Sequence, residues 1–245
     1  MPIQFPTLLQ DSWNFIRNQL NFTFIGLGLL MLVQLLLFYF TPKLAIDPTT
    51  LTPEMLDKYA RESLLASLPV LLISAIGILL HILLVLNIKS INNGQYHHFF
   101  QHIGTAFGRI LPFIGLYILM SLPMSIGSVA RVVGQAGGFS IIALPLMVTG
   151  IFIFVKWCLA GYVYLVEEPQ KRVFETLAFT WQMSRGKMGI LFLFCLLSYL
   201  FPTVITSLIG NIGGIGSVLS HIVAAFLSLF VTVFGFRFYQ AYRQI

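Results

Sequence analysis

Few side chains in this chain could carry out chemistry, and their types and spacing restrict what that chemistry is. Lys156 stands inside an apolar run, "VTGIFIFVKWCLAGYVYLV", about 16 Å of helix before the first acid at Glu167. An ionisable residue at such a depth is a candidate for function, either as an anion ligand or as part of a transport path. His81 and His221 also fall within apolar runs. No Asp or Glu accompanies any of the three, so no proton relay is assembled. His98 and His102 stand at i, i+4, with His97 beside them, a spacing that holds a metal when a third ligand is near. No Glu or Cys lies close by, so they are expected to be ordinary histidines at the membrane surface, and no metal or cofactor is expected. "GNIGGIGS" (210–217) follows no strand and reads as a tight turn between two apolar runs, not as a phosphate loop. Gly134, Gln135, Ala136, Gly137 and Gly138 form an equivalent turn earlier in the chain. Cys158 and Cys195 lie within apolar stretches and form no CxxC motif, so each reads as a small packing residue. No Ser-His-Asp order, HExxH motif or carboxylate pair inside a span occurs. The chain is expected not to be an enzyme.

The elements that must position these residues are membrane spans. Of 245 residues, 58% are apolar and 9% are charged, against roughly 25% charged in a soluble domain. Mean hydropathy is +0.90. Spans need about 20 apolar residues. Five runs meet this at 21–40, 67–88, 110–130, 189–209 and 218–235. The stretch 138–166 is too long for one straight crossing and holds Pro145, so a single crossing with an irregular start near Pro145 is expected. The fold class is therefore all-α: a polytopic membrane bundle of six transmembrane helices in one domain, 1–245. The N-terminal segment, with about twenty mixed residues before its first apolar run, does not read as a cleavable signal.

The net charge of +6 is spread thinly, without the basic run of a nucleic-acid patch, so no nucleic-acid partner is expected. Its placement reads as topology. Nine Lys and Arg flank one set of span ends (Arg17, Lys89, Arg109, Lys171, Arg172, Arg185, Lys187, Arg237, Arg243). Four flank the other (Lys43, Lys58, Arg61, Arg131). This asymmetry predicts both termini in the cytoplasm. The largest outer loop carries Asp47, Glu54, Asp57 and Glu62. In it, Thr52 and Pro53 are placed to cap and begin a short helix.

Each odd-numbered span is preceded by a stretch with helical periodicity. Phe5, Leu9, Trp13, Ile16 and Leu20 share one face in the first. Phe99, Ile103, Phe107 and Ile110 do so in the second, and Phe174, Leu177, Trp181 and Met188 in the third. Trp13 and Arg17 are four apart, as are Trp181 and Arg185, while Phe107 precedes Arg109 by two. Such helices are expected to lie in the cytoplasmic interface, with Trp setting the depth and the cations on lipid phosphates. Trp13, Arg17, Arg109, Trp181, Arg185 and Lys187 are therefore the candidate headgroup residues. Lys156 and His81 are the candidate polar residues within the membrane. The pattern reads as a three-fold pseudo-repeat of hairpin units, about 1–88, 89–166 and 167–245.

The opening "DSWNFIRNQL", the "SRGKMGILFLF" that leads into span five and the closing "FRFYQAYRQI" resemble the YciC-like family of uncharacterised bacterial inner-membrane proteins along the whole chain. More remotely, "VTGIFIFVKW…YLVEE…TLAFTWQMSRGKMG" is similar to the membrane domain attached to some glycerophosphodiester phosphodiesterases, with Thr149 where those often have Pro. The resemblance implies residence in the inner membrane and brings no catalytic residues. Membrane lipids are the expected partners. The expected role is a non-catalytic scaffold or lipid-organising protein, with a small-molecule or lipid transporter or channel as the alternative.

Overall fold

The computed structural model describes residues 3–41, 53–134, 140–213 and 215–244. The helices are α1 (Phe5–Asn18), α2 (Leu20–Phe40), α3 (Pro53–Asn92), α4 (Ile103–Gly134), α5 (Ser140–Trp157), α6 (Ala160–Val166), α7 (Val173–Met183), α8 (Met188–Cys195), α9 (Phe201–Gly210) and α10 (Ile215–Arg243). A π-turn, Leu196–Leu200, joins α8 to α9. No strand occurs among the described residues. Six helical stretches are long and apolar enough to cross a membrane: Leu20–Phe40, Leu64–Asn92, Ile103–Ser125, Leu144–Val166, Met188–Gly210 and Ile215–Arg243. Thr52, Asp47, Lys43 and the turn residues 135–138 lie outside the described residues. So do the side chains of Glu54, Asp57, Lys58, Arg61, Glu62 and Arg131.

The long apolar faces that remain exposed, among them Phe24, Leu72, Leu111 and Leu208, suit contact with lipid chains, which require no burial in protein. Span four is the most enclosed: half of its apolar window is buried, against a third or less for each of the others. Leu159, Ala160 and Val163 have no exposed surface. Helix α10 packs against α1, α2, α3, α6 and α9, and α4 pairs with α5. Where α4 crosses α5, a Cβ on Gly150 would lie 2.6 Å from the Pro123 carbonyl oxygen, so only glycine allows this approach.

Both chain ends lie at one end of the bundle, called here the terminal end. The Phe5 ring lies tilted against Phe238, 5.6 Å between centroids, near the close of α10. The corner between α1 and α2 at Gln19 is stapled by Thr23, whose hydroxyl donates to the Ile16 carbonyl at 2.8 Å. The buried Phe22 ring fills the corner against Phe15 and Phe99.

Several local expectations change. The short outer helix does begin at Pro53, yet it does not stop: α3 continues unbroken into the second span. The intervening residues 60–66 contain no Gly or Pro and favour helix. The second of the three pre-span stretches is not a separate helix. Ile103, Phe107 and Arg109 already belong to the same helix as span three, and 93–102 is a loop pinned over α3 by the Asn87 amide on the Phe99 carbonyl at 2.6 Å. His98 and His102 therefore do not share a helical face. Span four is not irregular at Pro145, which sits within α5. It breaks later, at Cys158–Leu159, where the Cys158 N–H reaches back only to Val155 at a stretched 3.5 Å. Span five is also interrupted. Pro202 has no N–H to give the Ser198 carbonyl, and the helix widens there into the π-turn.

Candidate functional site

The described cations gather at the terminal end, and most of them are engaged by the protein itself. Arg109 donates to the Leu165 carbonyl at 3.0 Å, and Lys89 to the Val166 carbonyl at 3.0 Å. Both carbonyls belong to the last turn of α6, where no intrahelical donor remains and cations also complement the helix dipole. Lys89 further pairs with Glu168, and this contact holds the Glu168 carboxyl below its ordinary range. Arg109 thus braces span three against span four. Nearby, His102 is pushed below its ordinary value, by burial first and then by Arg109 and Lys89.

Glu167 is buried and is the hub of a second cluster. It accepts from the Tyr239 hydroxyl and pairs with Arg243 at 3.1 Å. The carboxylate is buried while the Arg243 side chain is more than half exposed, and this charge-assisted pair links the end of α6 to the end of α10. Val166, Tyr239, Gln240, Arg243 and Gln244 line a cavity of about 460 Å³ beside it. This cluster was missed in the sequence. The available signal was the doublet Glu167–Glu168 directly after a span, in a chain with only eight acids.

Lys156 and Trp181, expected in separate roles, are brought together. The Lys156 ammonium is buried, 4.4 Å from the Trp181 ring centroid and 5.4 Å from that of Phe152, and donates to Ser184 at 3.4 Å. Trp157 flanks Trp181 at 6.0 Å, with its own Nε1–H buried and unpaired. An ammonium over aromatic faces is attracted by the ring quadrupoles. The reason Trp181 meets span four is that α7 packs onto α4, α5 and α6. Its buried face is Thr176, Leu177 and Thr180, while Phe174 is 75% exposed. In α1 the buried face is Ser12, Phe15 and Ile16, a rotation that leaves Trp13 half exposed with one edge on Phe226.

His81 lies between the Phe113 and Tyr162 rings, with Nδ1 3.3 Å from the Thr232 hydroxyl. Its surroundings are aromatic, and no charged partner stands beside it among the described residues. Lys187 lies 5.3 Å over the Tyr242 ring. Arg237 lies over Phe15 at 5.4 Å. Cys158 and Cys195, from spans four and five, are both buried and not joined by a disulfide. No group of three His, Cys, Asp or Glu suited to a metal occurs among the described residues.

Arg17 and Arg185 differ from all of these. Both are exposed, and neither has a hydrogen-bond, ion-pair or ring partner among the described residues. Arg17 lies in the last turn of α1, just before the corner into span one. Arg185 lies in the turn between α7 and α8, where Gly186 takes φ +73° to redirect the chain into span five.

No family model and no solved structure matches the chain. A Haemophilus influenzae protein described as uncharacterized is 27% identical over 253 residues, and the match covers the whole of both chains.

Proposed function

We propose that this chain is a multi-pass protein of a bacterial inner membrane, with both termini cytoplasmic. In this reading it acts without catalysis, as a scaffold that gathers anionic lipid around its terminal end. The observation that carries the reading is the contrast among its cations. Lys89, Arg109, Lys156 and Arg243 are occupied by carbonyls, aromatic rings or Glu167, whereas Arg17 and Arg185 are exposed with no partner among the described residues. Each of these two arginines sits at a bend leading into a span, the depth at which an arginine reaches lipid phosphates. The excess of Lys and Arg at the same end supports cytoplasmic termini. The short helices α1 and α7, each bent away from the span that follows, support interfacial helices in the first and third hairpin units of a pseudo-repeat from which the middle unit departs. The full-length match to a bacterial protein, with the motifs at 11–20, 184–194 and 236–245, supports a place beside the YciC-like proteins.

The test is native mass spectrometry of the full chain purified from membranes. Each cation near an anionic leaflet contributes about 1 kcal/mol, roughly fivefold in affinity. An Arg17→Gln, Arg185→Gln double variant that inserts normally is expected to keep much less phosphatidylglycerol and cardiolipin than wild type. Equal retention would overturn the reading.

A transporter or channel is the second reading. It is favoured by one observation: a buried Lys156 beside interruptions in two neighbouring spans, at Cys158–Leu159 and Leu196–Leu200, the kind of break that transporters place at binding sites. A substrate screen in vesicles that finds flux abolished by Lys156→Met would establish it.

A further inference from the structure

We infer a discrete site for the phosphate of an anionic phospholipid in the cavity between α4, α6 and the start of α7. The inference rests on the lipid-gathering reading above and assigns it a place that Arg17 and Arg185 do not share. The cavity measures about 380 Å³ and is lined by Pro112, Tyr164, Gln170, Lys171, Arg172 and Val173. Two adjacent cations therefore border it, and none of the lining residues is acidic. Its floor is apolar, from Pro112 and Val173, and the buried Tyr164 with Gln170 beside it gives a polar wall. The nearest counter-charge on α7 is Glu175, whose carboxylate accepts the Arg172 backbone N–H at 3.0 Å and so is turned to the helix start. Glu168 is taken up by Lys89. Arg109, on the Leu165 carbonyl next to Tyr164, adds a third positive charge to the same neighbourhood.

The cations are available. The Arg172 side chain is exposed without an ion-pair partner among the described residues, and Lys171 rests only on the Phe179 ring at 4.7 Å. A cation–π contact is an electrostatic attraction to the ring face, and an ammonium carries three N–H donors.

What makes the ligand a lipid, and not a soluble anion, is the surface beside the cavity. Leu111, next to Pro112, is 78% exposed, and Phe174, next to Val173, is 75% exposed. Each adjoins in sequence a residue that lines the cavity together with Tyr164, two residues before the last residue of span four, Val166. A phosphate seated between Lys171 and Arg172 would leave its acyl chains along Leu111 and Phe174. A free phosphate would gain nothing from those two side chains. Arg172 can engage two phosphate oxygens at once, and Lys171 acts as a point charge.

The experiment uses the full chain in a detergent free of phosphate, titrated with short-chain phosphatidylglycerol and read by native mass spectrometry. The Lys171→Gln, Arg172→Gln variant is expected to bind phosphatidylglycerol at least tenfold more weakly than wild type, two charges at roughly fivefold each. Arg172→Glu alone should do the same while altering one surface side chain. Inorganic phosphate at millimolar concentration should not displace the lipid; displacement would overturn the lipid assignment in favour of a free phosphate. Unchanged binding in the Lys171 and Arg172 variants, with loss in Arg17→Gln, Arg185→Gln, overturns this site and leaves the broader reading standing. Wild type that binds no phosphatidylglycerol overturns both.

Discussion

The ammonium of Lys156 stands 4.4 Å above the ring of Trp181, and this contact ties the enclosed fourth span to the helix that follows it. A desolvated cation–π pair contributes about 2 kcal/mol. A double-mutant cycle with Lys156→Met and Trp181→Leu, followed by thermal unfolding in detergent, should give a coupling of about that size. Lys156→Met alone is expected to leave the fold intact, because Met fills the same aromatic box without a charge to hold. Additive losses would mean that the pair is adjacent but not energetically linked.

Gly150 and Gly28 should respond in opposite ways to one added methyl group. A Cβ at Gly150 meets the backbone of Pro123, which cannot move aside without separating α4 from α5, whereas a Cβ at Gly28 meets nothing within 4 Å. Gly150→Ala is expected to cost about 1–3 kcal/mol, as overpacking does. Gly28→Ala should be neutral or slightly stabilising, through better helix propensity. Unfolding midpoints of the two variants, measured side by side, check this.

Acid should loosen the terminal end. The Lys89 contact lowers the folded carboxyl value of Glu168, so its contribution is present above the unfolded value of about 4.3 and is lost as pH falls through the lower folded value. His102 adds to the trend from a higher pH. Its folded value is lowered, so charging it costs stability once pH falls below about 6.5. Thermal midpoints recorded from pH 7.5 to pH 3.5 should therefore decline in two stages. Lys89→Gln should flatten the lower stage, and His102→Asn the upper one.

Removing Arg109 should be felt in span four and not only at the surface. Its guanidinium closes the last turn of α6 through the Leu165 carbonyl, and a hydrogen bond from a charged donor contributes about 2 kcal/mol. Arg109→Gln is expected to lower the unfolding midpoint and to speed hydrogen exchange in 160–166. Arg17→Gln, an exposed site, should do neither.

Topology is checked directly by reporter fusions. Fusions after Arg109, after Gln182 and at Ile245 should report cytoplasm, and those at Thr52 and Asn211 the periplasm. A periplasmic signal at Ile245 would break the count of six crossings.

Class, number of long apolar helices and the gathering of cations at one set of span ends were legible in the sequence. They depend on quantities summed along the chain: a span needs only length and apolarity, and charge asymmetry needs only counting. The rotation of short helices was not legible. Periodicity grouped Trp13 with Ile16 and Phe174 with Leu177 on faces turned to the membrane, but it did not show that protein would cover Ser12, Phe15 and Ile16 in α1, and Thr176, Leu177 and Thr180 in α7. The two faces of such helices are both moderately apolar, so the choice falls to whichever neighbour is available. Nor could the sequence show that 103–109 belongs to the same helix as span three, since the same apolar spacing serves a helix lying on a membrane or one crossing it. The partners of the ionisable groups lay furthest from view. Lys156 meets Trp181 across 25 residues, and Glu167 meets Tyr239 across 72. Only the packing of α7 and α10 against the fourth span decided that one cation would be enclosed by aromatic rings and one carboxylate by a tyrosine and an arginine. A chain read in one dimension carries the cost of burying a charge, but the group that offsets that cost is chosen by distance in three.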